Sequence, residues 1–553
     1  MRKHLSKLKL SRLIIVLTLL LTNNSFAQDF SMPSIFADQM VLQRQQKVPV
    51  WGTAQANAIV NVLFAGQSKS VKVNLDGNWR IDLDALRASA EPQMMTITSK
   101  WDNKMKEIKI KDVLVGEVWL CSGQSNMYRP FRMLMGEATD PAYEPAVAYL
   151  RNEAATANDP LFRQFKVGNS FSVLEEQTNG RGEWSKAIPV EVNEFSGTAY
   201  FFGKELRQKL NVPVAIISCN LGATRIEPWM PINAYEKNSS LKAYYDGEIA
   251  AYKENLSNWD EQKANTAYKQ LLVEWEEKVK SAETKGEKAP DKPRKIESPA
   301  RDKQVPGTLY NAMVHPLVPF AVKGAIWYQG ESNTDNSAND YGLRLAALVE
   351  GWRAAWGQKQ FFFFCSQLAN YRSPNKEPVG DEDGWATISY QQSQILKLNN
   401  TGLAVLNDIG EASDIHPKNK MEVGKRLSLW ALHQAYGQNI VYSGPLYKNA
   451  EVKGSKMVIH FDNAGSGLMV GKKQLLNPTV EVNEPLKRFQ ICGADQQWKW
   501  AEARIIDKNK VEVWHPRISQ PIEVRYAWSS NPEGANLYNK EGLPASLFKT
   551  NNN

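Results

Sequence analysis

A serine that follows an apolar run is the first residue of this sequence with a clear chemical use. Ser125 stands within Gly123-Gln124-Ser125-Asn126-Met127, and the run at 113–121 before it is typical of a strand buried on both faces. Glycine permits a sharp turn at 123, so the Ser125 hydroxyl comes at the carboxyl end of the strand, where open α/β sheets bind ligands. Taken alone, the segment equally fits Ser125 as a helix N-cap.

One histidine is placed to act as a base for this hydroxyl. His416 lies in Asp414-Ile415-His416-Pro417, just before a predicted helix with Val423 and Leu427 on its buried face. A serine is a poor nucleophile unless a base within hydrogen-bond reach accepts its proton. His416 follows the last predicted strand, so we expect it on the same sheet edge as Ser125.

Acyl transfer also needs donors for the oxyanion of a tetrahedral intermediate. The backbone N–H of Ser125 is one candidate. The backbone N–H of Gly222 and the side-chain amide of Gln329 follow the second and third predicted strands. Three strand ends and one loop therefore predict a site for acyl transfer.

Buried strands alternating with helical segments must position these groups. Apolar strand runs are predicted at 113–121, 212–218, 322–328, 361–365 and 403–406. This alternation is typical of an α/β fold with a doubly wound, five-stranded parallel sheet. Most of the runs end in Gly, Ser, Asn, Gln or Asp, which gathers the polar groups at one edge.

The remaining sequence predicts the domain limits. Short alternating strands with turn residues predict a β-sandwich-like module at 28–112 and a second β module at 438–553. The α/β domain would span 113–437, with a charged helical insertion at about 233–303 and no low-complexity tract beyond its Pro/Lys linker.

The first 27 residues predict a signal peptide. Five basic residues precede an apolar run and a Ser-Phe-Ala cleavage site, so removal after residue 27 lowers the formal net charge from +8 to +3. The mature chain then has no basic excess that indicates nucleic acid, and no stretch long enough to span a bilayer. We expect an exported protein, periplasmic or extracellular. Its cysteines, Cys121, Cys219, Cys365 and Cys492, have no metal-binding spacing and leave a disulfide undecided.

Four motifs in this order resemble the SGNH-hydrolase superfamily, and within it the sialate O-acetylesterase branch of the carbohydrate esterases. They are Gly-Gln-Ser-Asn-Met at 123–127, the segment around Gly222, Trp-Tyr-Gln-Gly-Glu-Ser at 327–332 and Asp-Ile-His-Pro at 414–417. The resemblance covers 113–437 and implies a flavodoxin-like sheet. It implies that Ser125 is the nucleophile, His416 the base, and Gly222 and Gln329 oxyanion donors. It also implies that the enzyme uses no metal and no organic cofactor.

The sequence departs from the superfamily pattern beside the histidine. The superfamily places Asp three residues before it, where this chain has Ser413, and Asp414 is two before. The site is then either a triad with Asp414 or a Ser–His dyad whose imidazole a backbone carbonyl holds. Asn126 and Glu331 lie beside the predicted pocket and are candidate substrate contacts, and we expect Glu331 to be a hydrogen-bond partner rather than an acid catalyst.

The substrate implied by the resemblance is an O-acetylated sialic acid. Arg129 and Arg225 lie close in sequence to Ser125 and Gly222 and are candidates to bind its carboxylate. Acetylated xylan or another plant polysaccharide is the alternative substrate. A non-catalytic glycan-binding protein is the alternative from another functional class. It is disfavoured because both Ser125 and His416 are present. The oligomeric state stays open.

Overall fold

The computed structural model describes residues 29–550 except 137, 139, 336 and 359. These residues divide into two compact units. The smaller unit comprises 29–32, 49–83 and 94–109, and the larger comprises 33–48, 84–93 and the described residues from 110 onward. The predicted signal peptide lies outside the described residues.

Strands and helices alternate through the middle of the chain. The strands are β1 (Val41–Gln43), β2 (Val48–Thr53), β3 (Ile59–Phe64), β4 (Gln67–Lys72), β5 (Asn78–Leu83), β6 (Ser89–Trp101), β7 (Lys104–Gly123), β8 (Asp159–Val167), β9 (Gly182–Ala187), β10 (Val214–Asn220), β11 (Gly324–Tyr328), β12 (Phe362–Ser366), β13 (Thr401–Ala404), β14 (Leu446–Lys453), β15 (Lys456–Asp462), β16 (Leu468–Lys472), β17 (Val480–Glu481), β18 (Phe489–Cys492), β19 (Lys499–Trp500), β20 (Glu502–Asp507), β21 (Lys510–Trp514), β22 (Glu523–Tyr526), β23 (Leu537–Asn539) and β24 (Phe548–Lys549). The α-helices are α1 (Ser125–Tyr128), α2 (Phe131–Leu134), α3 (Glu144–Thr156), α4 (Gly197–Leu210), α5 (Ile232–Glu236), α6 (Ser239–Ser257), α7 (Glu261–Lys285), α8 (Tyr341–Trp356), α9 (Gly384–Ser393) and α10 (Lys420–Trp430).

The central sheet is mainly parallel, with the order β13-β12-β11-β7-β10-β8-β9. All neighbours along this path pair in parallel except β8 and β9, which are antiparallel. The five predicted strands are present, and β8 and β9 are two strands that the five-stranded prediction omitted. Strand β7 lies between β10 and β11, with Gly123 opposite Asn220 on one side and Tyr328 on the other.

Apolar side chains cover both faces of this sheet. On one face, α4 and α10 pack together, and Trp119 contacts Phe202 and Phe364 in a core that also holds Leu427. On the other face, Trp327 packs edge-on against Trp229 and Trp352. Strands buried on both faces of a sheet need apolar side chains at successive positions, which explains their near-continuous apolar sequence.

The remaining β structure is antiparallel. In the smaller unit β3 pairs with β4 and β6, and β2 pairs with β5. After α10 the chain forms the sheets β14-β15-β21-β20, β17-β16-β23 and β19-β18-β22-β24. Among the described residues, no helix combines the length and the apolar character needed to cross a bilayer. The four cysteines are buried and none of them is bridged.

Candidate active site

The turn after β7 presents Ser125 at the edge of the sheet. Gly123 has φ +136°, and a Cβ atom there would come 2.1 Å from the carbonyl oxygen of Tyr328, so only glycine fits this close approach. Gln124 is the N-cap of α1, and Ser125 is the first helical residue. Ser125 is therefore not the N-cap, and its hydroxyl is available to a side chain.

That side chain is His416. Its Nε2 atom lies 2.9 Å from Ser125 Oγ, although the two residues are 291 positions apart in sequence. His416 stands in the loop before α10, whose first turn is capped by the side chain of Asn419 accepting the N–H of Glu422. The fold thus brings the predicted nucleophile and the predicted base within hydrogen-bond distance.

Asp414 lies on the other side of the imidazole. Its Oδ1 atom is 3.4 Å from His416 Nδ1 and accepts the backbone N–H of His416 at 2.9 Å. Its Oδ2 atom accepts from Lys418 Nζ at 2.8 Å. Burial opposes ionisation of this carboxyl, but the hydrogen bonds from His416 and Lys418 outweigh it and hold the pKa of Asp414 well below its usual value. The spacing of two residues therefore still puts a carboxylate beside the ring.

The imidazole is poised in its neutral form. Burial lowers the pKa of His416 below its usual value, and the positive charges of Arg129 and Lys420 lower it further, while Asp414 opposes them. A histidine must be neutral to accept a proton from serine. The surroundings of His416 therefore favour the base form near neutral pH.

Gly222 lies directly against the nucleophile. A Cβ atom built on Gly222 would sit 3.7 Å from Ser125 Cβ. The loop is held from outside, because Lys303 Nζ donates to the Gly222 carbonyl oxygen at 2.8 Å and Gln304 donates to that of Ala223 at 2.8 Å. Within the described residues, no hydrogen bond is formed by the backbone N–H of Ser125 or of Gly222. Both are free to donate to a substrate.

The Gln329 amide, in contrast, is already engaged. The side chain is fully buried, and Nε2 donates to Asn333 Oδ1 at 2.7 Å, to the Thr224 carbonyl at 3.1 Å and to Gln124 Oε1 at 3.2 Å. Its Oε1 atom accepts from the Tyr341 hydroxyl at 2.8 Å. In this structure the amide nitrogen of Gln329 is thus hydrogen-bonded within the protein, and its role as an oxyanion donor stays a prediction.

Asn126 and Glu331 are also tied to protein groups. Asn126 is 2% exposed, and its Nδ2 atom donates to Glu331 Oε1 at 2.5 Å and to the Ile415 carbonyl at 3.0 Å. Its Oδ1 atom accepts from Lys420 Nζ at 2.5 Å. Burial raises the pKa of Glu331. Asn126 and Glu331, both predicted as candidate substrate contacts, thus bind each other in this structure, and a contact of either with a substrate stays a prediction.

Comparison with known proteins identifies relatives of this chain among the carbohydrate esterases. The family model "Carbohydrate esterase, sialic acid-specific acetylesterase" matches residues 295–432. Sialate O-acetylesterases of Rattus norvegicus and Homo sapiens are 27% and 26% identical, over 94% and 97% of this chain and 94% and 95% of their own length. The crystal structure of a carbohydrate acetylesterase from Xanthomonas citri is 36% identical, covers 94% of this chain and 99% of its own, and superposes with a TM-score of 0.72.

The chain belongs to the sialate O-acetylesterase family of carbohydrate esterases. It is a carboxylic ester hydrolase. No group of three or more His, Cys, Asp or Glu side chains that could hold a metal ion occurs in the part of the esterase that the structure describes.

The two predicted arginines of this esterase differ in what they contact. Arg225 donates to both oxygens of Asp335, at 2.7 Å and 3.3 Å, and to Ser337, and lies 3.6 Å from Glu227. The Arg129 guanidinium has no hydrogen bond or ion pair to the described residues, and its buried Nε is without a partner. Since Arg129 lowers the pKa of His416, it is the arginine whose charge reaches the active site.

A cavity of about 470 Å³ lies near the carboxyl end of β10, and its lining includes neither Ser125 nor His416. It is lined by Tyr128, on the same helical turn as Ser125, and by Asn220, which pairs with Gly123 in the sheet. Its charged lining residues are of both signs, Lys166 and Arg181 with Glu183 and Glu194.

Sequence reasoning missed two lysines of the site, Lys418 and Lys420. Lys420 is fully buried, and burial lowers its pKa to about 7. One signal was present in the sequence, since Lys420 precedes Val423 by three residues and Leu427 by seven. That spacing places the lysine on the buried face of its helix.

Proposed function

We propose that this esterase removes O-acetyl groups from sialic acids through an acyl-enzyme on Ser125. The observation that carries the proposal is the 2.9 Å contact of Ser125 Oγ with His416 Nε2, next to Arg129, which has no partner among the described residues. The family membership and the relatives named sialate O-acetylesterase support the reaction class and the substrate.

In the first half-reaction, Ser125 Oγ attacks the acetyl carbonyl carbon while its proton passes to His416 Nε2. The tetrahedral intermediate then breaks its bond to the sugar oxygen, which takes the proton from His416 and leaves as a hydroxyl group. In the second half-reaction, His416 removes a proton from water, which attacks the acetyl-serine. Collapse returns the proton to Ser125 and releases acetate.

The negative oxygen of each intermediate needs donors that exist before the reaction. The backbone N–H groups of Ser125 and Gly222 suit this role, because the residues are in contact and neither group is used within the described residues. Gln329 joins them only when its amide exchanges one of its three acceptors for the oxyanion. Asp414 would orient His416 and stabilise the imidazolium.

Arg129 is the residue that favours an anionic sugar over a neutral one as the substrate. Arg129 is partly buried, its buried Nε has no partner among the described residues, and a substrate carboxylate would supply one. A neutral xylo-oligosaccharide has no such group. Export to the periplasm or the cell exterior is part of this proposal, on the support of the basic, apolar and small-residue pattern at 2–27.

Acetate release from a panel of substrates tests the proposal. The purified mature protein is incubated with O-acetylated sialic acids and with acetylated xylo-oligosaccharides, and kcat/KM is measured for each. We expect the sialic acids to be the better substrates. A higher kcat/KM on the neutral xylo-oligosaccharides would transfer the assignment to plant polysaccharides, and binding without any acetate release would favour a lectin-like protein.

Arg129→Met should weaken the reaction with sialic acids selectively. A charge-assisted hydrogen bond contributes about 1.5–3 kcal/mol, so kcat/KM should fall about 10- to 100-fold, mainly through KM. The assay is run at about pH 8, where His416 is neutral with or without the neighbouring charge. Arg151→Met, at an exposed arginine paired with Glu144, is the matched control. An equal loss on acetylated xylo-oligosaccharides would contradict the carboxylate contact.

A further inference from the structure

Three segments of the active site meet at one buried side chain, Asn126. Its amide nitrogen reaches Glu331, after β11, and the Ile415 carbonyl, in the His416 loop. Its amide oxygen accepts from Lys420, the first residue of α10. Because Asn126 directly follows Ser125, this amide connects the nucleophile segment to both ends of the loop that carries the base.

Lys420 is the unusual member of this cluster. Lysine is almost never fully buried without a partner, yet Lys420 is 0% exposed and its ammonium makes one hydrogen bond within the described residues, to Asn126. The ammonium also lies 5.5 Å from the centre of the Tyr328 ring. An apolar side chain would fill this position at a lower desolvation cost, so the charge calls for a reason other than packing.

The charges that surround the ammonium come from several elements. Glu331, Glu411 and Asp414 are the carboxyl groups that favour its charged form, and Arg129 opposes it. Burial raises the pKa of Glu411 to about 7 and that of Glu331 above its usual value. These two carboxyl groups therefore neutralise the charge of the Lys420 ammonium only in part. The ammonium in turn lowers the pKa of His416, as Arg129 does, against the opposite effect of Asp414.

We propose that Lys420 is a positioning residue for ester hydrolysis, whose ammonium fixes Asn126 between Glu331 and the His416 loop and so holds the imidazole within reach of Ser125. The loop 414–420 is closed by Asn126 at Ile415 and at Lys420, and His416 lies between these two points. Loss of the lysine contact frees one of the two attachments. The inference depends on the proposed roles of Ser125 and His416.

Lys420→Met tests this role with p-nitrophenyl acetate, which needs no sugar contacts. We expect kcat to fall about 10- to 100-fold with KM little changed, as for a displaced catalytic group. The acid limb of the kcat–pH profile should also move to higher pH, because His416 loses a neighbouring positive charge and binds its proton more tightly. A purely structural role would lower the melting temperature without moving this limb.

Two further variants and one control complete the experiment. Lys420→Arg keeps the charge and should keep the acid limb near its wild-type position, and Lys420→Gln provides a neutral side chain that can still donate to Asn126 if the methionine variant does not fold. Lys425→Met, at an exposed position of the same helix, should match the wild type. A neutral variant with wild-type kcat and a wild-type acid limb would overturn the proposal.

The same assay separates this inference from the proposed function. If Ser125→Ala is inactive while the neutral Lys420 variants match the wild type, only the role of Lys420 is lost. If Ser125→Ala retains wild-type turnover, the nucleophile assignment fails, and Lys420 has no site to position.

Discussion

Ser125→Ala should leave a folded protein whose acetate release is lowered by several orders of magnitude. In the described structure, the Ser125 hydroxyl is the group that the His416 imidazole contacts, with Oγ and Nε2 2.9 Å apart. Removal of a triad serine elsewhere lowers kcat by about 10⁶, and the residual rate comes from the oxyanion donors and from binding. Within the described residues, the Ser125 hydroxyl bonds to His416 and to no backbone group, so the melting temperature should change little.

Ser122→Ala is the matched control for this prediction. Ser122 lies on the same segment, is fully buried, and its hydroxyl has no hydrogen-bond partner in the described structure. Deletion of an unpartnered hydroxyl should leave activity unchanged and should not destabilise the fold. Acetate release and thermal unfolding are measured on both variants and on His416→Ala, which should be about as inactive as Ser125→Ala. Wild-type turnover by Ser125→Ala would remove this serine from the mechanism.

The sequence predicted best the buried parallel strands and the residues that follow their carboxyl ends. The strand runs at 113–121 and 212–218 correspond to the buried strands β7 and β10, and their carboxyl ends do gather Ser125 and Gly222. This followed because parallel strands end at the same edge, and because apolar runs mark strands buried on both faces. The position of His416 followed from the same argument.

The strands β8 and β9 were missed because their sequences carry polar side chains. Arg163 is 2% exposed in β8, yet its guanidinium pairs with Asp112 at 2.7 Å and with carbonyl oxygens. Gln164 is buried and bonds to the backbone around Glu194. Strand β9 is antiparallel and sits at the end of the sheet. An apolar pattern cannot reveal a strand whose buried polar groups find partners far along the chain.

The use of the Gln329 amide shows the same limit inside the site. Its place at a strand end was predictable, but its partners Thr224 and Asn333 are set by how two loops fold against each other. The same is true of Lys420, whose charge suggests a solvated position while its helical spacing indicates burial. Sequence patterns give the element and the face, whereas hydrogen-bond partners depend on tertiary contacts.

The orientation of His416 gives the second large expected effect. Within the described structure, the group beside His416 Nδ1 is Asp414 Oδ1, at 3.4 Å, and no carbonyl oxygen bonds to this nitrogen. The structure therefore favours the triad over the dyad as the basis of the prediction. Asp414→Asn should lower kcat by about 10²–10⁴, since loss of the orienting carboxylate in a known triad costs about 10⁴. Glu411→Gln makes the same chemical change in the same loop without a contact to His416, and should stay within about tenfold of the wild type.

The pH profile distinguishes an orienting carboxylate from one that only stabilises the loop. Wild-type kcat should rise with pH as His416 loses its proton, with a midpoint below its usual pKa of about 6.5, because burial, Arg129 and Lys420 all lower the pKa of His416. Asp414 acts in the opposite direction, so Asp414→Asn should move this midpoint to still lower pH while it lowers the plateau. Lys420→Met should move the midpoint to higher pH, and the two shifts of opposite sign would identify His416 as the titrating base.

A wild-type rate that is flat from about pH 5 to 8 with chemistry rate-limiting would exclude that assignment. An Asp414→Asn variant with the wild-type plateau and midpoint would instead show that a Ser–His dyad performs the reaction.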